Sequence, residues 1–187
     1  MDKKKAMGWF IIIIMSFSIL GFVGGAFFAE QGQSNYEREE YNGYSFISYQ
    51  GQWVLELGEQ QIPFLNFPGD LESISLNKDL SSWKNQGRVY VGANSVSNST
   101  QLSNQVQFTQ GLFSLINLRA QDACVEGDLE CGDIPDVNCV NPTIVYEESE
   151  VGGVSFDREC VVIKYNSNDD LIKFNEMVIF KVLGVMN

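Results

Sequence analysis

The sequence predicts a mixed α/β (α+β) protein made of an N-terminal transmembrane helix, an antiparallel β-meander and a strand-helix-strand-strand-helix unit. Three observations predict it. Residues 6–29 carry no charged side chain. Between residues 44 and 64, apolar and polar residues alternate with the period of two that marks a half-buried strand, interrupted by glycine-bearing turns. Beyond residue 87, strand-like runs such as RVYVGAN and ECVVIKY exchange with helical spacing in SNDDLIKFNEMVIFKVLG.

The opening segment sets the domain plan. About 20 apolar residues cross the hydrocarbon core as a helix, and residues 6–29 meet that length. Lys3, Lys4 and Lys5 precede the run and Glu30, Glu37, Glu39 and Glu40 come after it, so the positive-inside bias places the N-terminus in the cytoplasm and the rest outside. The expected plan is a basic tip and anchor over 1–29, a polar linker over 30–42, and an extracytoplasmic disulfide-bonded α/β domain over 43–187, with the lipid bilayer as partner through residues 6–29. A removable export signal has a shorter apolar core, roughly 7–15 residues, closed by small residues. Gly24-Gly25-Ala26 fits such a cut, whereas Phe27 and Phe28 prolong the apolar run and favour retention. A third reading comes from Lys4-Lys5-Ala6 before Met7, which resembles the cleavage site of archaeal type IV pilin precursors. Gly8 departs from that pattern, and QGQSNYEREEYNGY turns polar where a pilin helix continues.

The meander is predicted by three apolar sets, Tyr44 and Phe46, then Trp53, Leu55 and Leu57, then Ile62 and Phe64, with turns at Gln50-Gly51 and Gly58-Glu59. Pro63 lacks an N–H and puts the third strand at an edge or a bulge. After Pro68-Gly69-Asp70 the chain reads as irregular with a short helix, and RVYVGAN as a buried strand. Leu102, Val106, Thr109, Phe113, Ile116, Ala120 and Ala123 then recur at steps of four and three, predicting one helix from Ser97 to Ala123. Gly111 within it costs about 1 kcal/mol relative to alanine. PTIVYEE, VGGVSFD and ECVVIKY read as strands, and RVYVGAN and PTIVYEE as a parallel pair joined by a right-handed crossover. The final helix has Ser167 as its N-cap with Asp170 three positions on, and Gly184 as its left-handed C-cap. Leu171, Phe174, Val178 and Val182 form one face of it, widened by Ile172, Ile179 and Leu183, which predicts deep packing.

Composition narrows the function classes. The net charge is −12, and setting aside Lys3, Lys4, Lys5 and Asp2 leaves nine basic against 23 acidic residues in the exported part. Such a polyanion repels nucleic acid, which needs clustered Lys or Arg. Histidine is absent, which removes the commonest general base and the usual nucleophile triads. Paired carboxylates remain available for glycosidase-like chemistry, but with 23 candidates no pair stands out. No catalytic residue, metal ligand or cofactor is assigned.

Cys124, Cys131, Cys139 and Cys160 fall on the expected outer side, where an even count reads as disulfides. Of three connectivities, Cys124–Cys131 with Cys139–Cys160 is preferred, since it closes a small acidic loop and ties that loop to a strand. Intervals of six, seven and twenty residues do not match the close ligand pairs of structural zinc sites. Asp122, Glu126, Asp128, Glu130, Asp133 and Asp136 crowd the same loop, yet Cys131 stands where an EF-hand needs glycine and the late glutamate is missing. The loop reads as solvated and disulfide-stapled, with weak calcium binding as the alternative. In RVYVGANSVSNST a single glycine is too little for a phosphate loop, and Asn98-Ser99-Thr100 is a glycosylation acceptor pattern at Asn98.

The stretches NGYSFISYQGQWVLELG and CVVIKYNSNDDLIKFNEMVIFKVLGVMN resemble uncharacterised single-span exported proteins of archaea. That resemblance implies a membrane-anchored domain outside the cell and carries no catalytic residues with it. The function expected from the sequence is a binding or envelope-assembly module. A pilin-like subunit and a carboxylate-dependent envelope hydrolase are the alternatives.

Overall fold

Asn42-Gly43 sets the register of the first sheet. In the computed structural model, which describes residues 36–93, 100–124, 133–136 and 139–187, these two residues have φ of 49° and 82°. A two-residue type I′ hairpin requires such a pair of positive values, and Asn-Gly adopts it most readily. The turn joins β1 (Glu37–Tyr41) to β2 (Tyr44–Tyr49), with Tyr41 opposite Tyr44. Gln50-Gly51 repeats the geometry at 51° and 79° before β3 (Gln52–Leu57), and Gly58 opens the turn to β4 (Gln60–Phe64). The four strands lie antiparallel in the order β1-β2-β3-β4, so Pro63 sits on an edge strand. β1 falls in the segment assigned to the polar linker. Its sequence, EREEY, lacks an apolar alternation because an edge strand with four of its five residues charged is held by the turn and by backbone pairing.

The second sheet contains β5 (Arg88–Ala93), β6 (Arg119–Ala123), β7 (Thr143–Glu148), β8 (Gly153–Asp157) and β9 (Cys160–Tyr165). Its order is β6-β5-β7-β9-β8. β5 runs parallel to β6 and to β7, β7 runs parallel to β9, and β8 pairs antiparallel with β9 at the edge. The molecule is thus mixed α+β, and RVYVGAN and PTIVYEE are parallel neighbours as expected.

The helix predicted from Ser97 to Ala123 is shorter. α1 covers Thr100–Leu115, and the chain then turns into β6, a strand absent from the expected strand-helix-strand-strand-helix unit. Asn117 stops the helix: its φ is 58°, its N–H bonds the Ser114 carbonyl at 3.2 Å, and the Leu118 N–H bonds the Phe113 carbonyl at 2.9 Å. These are the two bonds of a Schellman cap, with asparagine in the position usually held by glycine. Leu118 and Phe113, both fully buried, supply the apolar contact that accompanies such a cap. Ile116, Ala120 and Ala123 continue the helical spacing by coincidence. Between β4 and β5, where one short helix was expected, there are two 3-10 turns, Pro68–Leu71 and Ser81–Asn85.

α2 (Asn168–Leu183) begins and ends as its sequence predicts. Ser167 Oγ accepts the Asp170 N–H at 3.2 Å. Gly184 has φ of 71°, and the Gly184 and Val185 N–H groups bond the Lys181 and Phe180 carbonyls at 3.1 and 2.9 Å. Every residue from Asn175 to Leu183 is buried. One side of α2 meets β9, β8 and α1, while Phe180 packs its ring 4.3 Å from Phe64 and 5.9 Å from Phe46 of the first sheet. Phe108 of α1 also reaches Phe64, at 6.0 Å between ring centres. The two helices therefore form a middle layer between the two sheets, and one apolar core joins all three layers.

Residues on the helix-facing side of the five-stranded sheet, among them Val91, Ile144, Tyr146, Val161 and Ile163, belong to that core. Cys160 points to the opposite face and forms a disulfide with Cys139, with S–S 2.01 Å and a separation of 21 residues. The disulfide fastens the end of the long β6–β7 connection to β9. Cys124 is also disulfide-bonded, while Cys131 lies outside the described residues. So do Asn98, the apolar segment 6–29 and the Lys4-Lys5-Ala6 motif. Among the described residues no helix is long and apolar enough to cross a membrane.

Closing a loop of this length restricts the unfolded chain and contributes about 3 kcal/mol. The double variant C139A/C160A should lose stability of that order in urea unfolding, while its far-ultraviolet circular dichroism before the transition stays that of the parent.

Candidate functional site

The candidate sites are three polar groupings and two surface clefts. The first grouping has three buried members, Thr109, Tyr146 and Asn175, and a half-buried one, Gln105. Tyr146 on β7 donates its hydroxyl proton to Asn175 Oδ1 on α2 at 2.6 Å. Thr109 on α1 lies 2.9 Å from the Gln105 carbonyl, 3.1 Å from Asn175 Oδ1 and 3.2 Å from the Tyr146 hydroxyl, so its single proton has three acceptors in reach. Asn175 Nδ2 donates to Gln105 Oε1 at 2.9 Å. Burial drives the Tyr146 phenol well above its ordinary range, opposed by the bond to Thr109. Every member is neutral, and the four residues come from α1, β7 and α2, so the network locks the helices onto the sheet.

The second grouping centres on Glu176. Its carboxylate accepts the Leu65 N–H at 2.7 Å, the Asn66 N–H at 2.9 Å and Asn66 Nδ2 at 2.7 Å. It thereby holds the chain as it leaves β4. Burial pushes its pKa above the ordinary 4.5, and the three hydrogen bonds pull the other way.

The third grouping gathers at the C-terminal end of α2, where carbonyls lack helical partners. The Leu183 carbonyl accepts Lys84 Nζ at 3.1 Å and the Tyr44 hydroxyl at 3.3 Å, and the Val185 carbonyl accepts Asn42 Nδ2 at 2.9 Å. Lys181 donates to the Asn187 carbonyl at 2.6 Å. Burial lowers the Lys181 pKa, and Asp79 counteracts this. A cation at a helix C-terminus is favourable. Side chains of the first sheet and of the second 3-10 turn thus complete the helix end.

The clefts lie elsewhere, around β6. A groove of about 500 Å³ between α1 and β6 is lined by Gln107, Gln110, Ser114, Arg119, Gln121 and Asp122, with Gln110 Nε2 bonded to Asp122 at 2.6 Å. A second cleft, of about 390 Å³, sits at the N-terminal ends of β5 and β6 and is lined by Gln86, Arg88, Tyr90, Arg119, Asn141 and Pro142. Arg88 and Arg119 are direct partners in the parallel register, and both are exposed. Of the four arginines in the chain, Arg38 pairs with Glu56 at 2.9 Å and Arg158 with Asp157 at 3.6 Å. Among the described residues no carboxylate pairs with Arg88 or Arg119.

Of the acidic residues singled out in the sequence, only three are described, and these do not form a centre. Asp122 is in β6, Asp133 and Asp136 are exposed, and Glu126, Asp128 and Glu130 lie outside the described residues. Among the described residues no three metal-type ligands come together. Gly92 is inside β5, opposite Ala123 and Val145, rather than in a loop. Arg88 and Arg119, 31 positions apart, carry no sequence signal, because only the parallel pairing of β5 with β6 brings them together.

Two outcomes are expected for the buried groups. Asn175→Ala leaves Tyr146 and Gln105 without their partner and should cost about 3 kcal/mol, whereas Tyr146→Phe, which leaves Thr109 in reach of Asn175, should cost about 1 kcal/mol; chemical denaturation measures both. A carboxyl whose pKa is raised by folding binds its proton more tightly in the native state. The contribution of Glu176 is therefore full below the unfolded value near 4.5 and declines as pH rises through the folded one. As pH rises above about 4.5 the parent chain should lose stability relative to Glu176→Gln, read from urea midpoints at a series of pH values.

Compared with known proteins, the chain matches no family model, no curated protein and no solved structure.

Proposed function

We propose that the chain is a single-pass membrane protein that presents its α+β domain outside the cytoplasm as a binding or envelope-assembly module. The observation that carries this reading is the uncharged run of residues 6–29 between Lys3-Lys4-Lys5 and Glu30, long enough to span and charged in the order that exports the chain beyond it. The Cys139–Cys160 disulfide supports it, because such bonds persist in oxidising compartments. The strongly acidic composition keeps the exported part well solvated. A second reading, a pilin-like subunit, rests on Lys4-Lys5-Ala6 before Met7.

Protease added to intact cells should remove the domain while residues on the cytoplasmic side survive, and alkaline carbonate should leave the full chain in the membrane pellet. Protection of the domain until cells are permeabilised refutes the orientation. N-terminal sequencing of the mature chain separates the variants of the reading. A start at Met1 or Asp2 marks a retained anchor, a start at Met7 pilin-type processing, and a start at Phe27 a released protein.

A further inference from the structure

The geometry points to the Arg88–Arg119 cleft as a binding site for a tetrahedral oxyanion, a phosphate or sulfate group carried by the partner. This deepens the binding-module reading and rests on it only for where the domain meets its ligand. Arg88 and Arg119 are opposite each other on adjacent parallel strands, so their side chains leave the same face of the sheet about 4.8 Å apart at the backbone. Like charges placed directly across a ladder are destabilising. The chain has twice as many acidic as basic residues, 24 against 12, available to relieve that repulsion. Arg38 and Arg158 do take carboxylate partners; among the described residues Arg88 and Arg119 do not.

The cleft around the pair is fixed by its own backbone. The Arg119 N–H bonds the Gly87 carbonyl at 3.1 Å, and the Tyr90 N–H bonds the Pro142 carbonyl at 2.8 Å. Arg88 is oriented further, since its Nη1 donates to the Tyr90 hydroxyl at 3.2 Å and its guanidinium carbon lies 5.9 Å from the Tyr90 ring centre. Arg119 stands between this cleft of about 390 Å³ and the polar groove along β6, leaving room for the group that carries the anion.

The choice of anion comes from the donors. One guanidinium fork satisfies a planar carboxylate with two parallel bonds. Two forks from neighbouring strands offer more donors than a carboxylate has oxygens facing them, and a tetrahedral oxyanion can use both. Asn141 and Gln86 at the rim add amide groups suited to hydroxyls or ester oxygens. The surrounding negative charge opposes binding at long range, but over a Debye length of about 8 Å at physiological salt the adjacent arginine pair dominates.

The test uses the purified full chain in detergent, so it is independent of orientation in the cell. Inorganic phosphate, inorganic sulfate and acetate are titrated in turn while the four arginine Nε–Hε signals are followed by NMR. The expected result is that Arg88 and Arg119 shift together and saturate with phosphate or sulfate, while acetate is weaker and Arg38 and Arg158 drift without saturating. The lower apparent Kd of the two tetrahedral ions identifies the phosphate or the sulfate source. Arg88→Gln or Arg119→Gln should weaken binding roughly tenfold or more, and Arg158→Gln should not change it. Equal response of all four arginines, absence of saturation, or acetate binding as tightly as sulfate overturns the proposal. The parent titration decides even where a variant fails to fold.

Discussion

From Asn175 to Leu183 α2 is buried on every side, and the rest of the architecture answers that constraint. A helical stretch lodged between two sheets has no solvent face, so each polar group on it needs a partner inside the protein. Asn175 finds one in the network with Tyr146, Thr109 and Gln105, and Glu176 in the backbone of Leu65 and Asn66. At the C-terminal end, Tyr44, Lys84 and Asn42 supply donors that water would otherwise provide. These partners come from both sheets, from α1 and from the second 3-10 turn, so the same bonds that satisfy the helix also fix the layers against each other.

The polar clusters divide into two kinds by their surroundings. Inside, the groups are neutral or held by several donors, and their geometry is closed; such clusters specify which packing is adopted and leave little for a ligand to exchange. Outside, around β6, the amides and the two arginines face open clefts. The acidic surface makes that contrast sharper, because a pair of adjacent cations is an exception to the general sign of the molecule.

Local signals were legible where a single residue type meets a single backbone demand. Gln50-Gly51 specifies a left-handed turn, Ser167 and Gly184 bracket α2, and Pro63 marks an edge. Spacing misled where two elements happened to share a rhythm: Ile116, Ala120 and Ala123 continue the stripe of α1 although Asn117 has already ended it. Thr109 was readable only as part of an apolar stripe; its role as a hydrogen-bonding group depends on Asn175, which is distant in sequence. β1 was hidden because its charged residues suit an edge strand and a solvated linker equally well. The Arg88–Arg119 pair depends on a strand register that no local pattern encodes.

The helix that fills the middle layer is also the element that comes after every described strand in the chain. Until residues 168–183 have emerged, both sheets lack the surface against which Phe46, Phe64, Val161 and Ile163 are buried. A chain made from its amino end holds those side chains without their final packing partner until that segment is complete. Such ordering leaves closure of the common core to the last helix of the described chain.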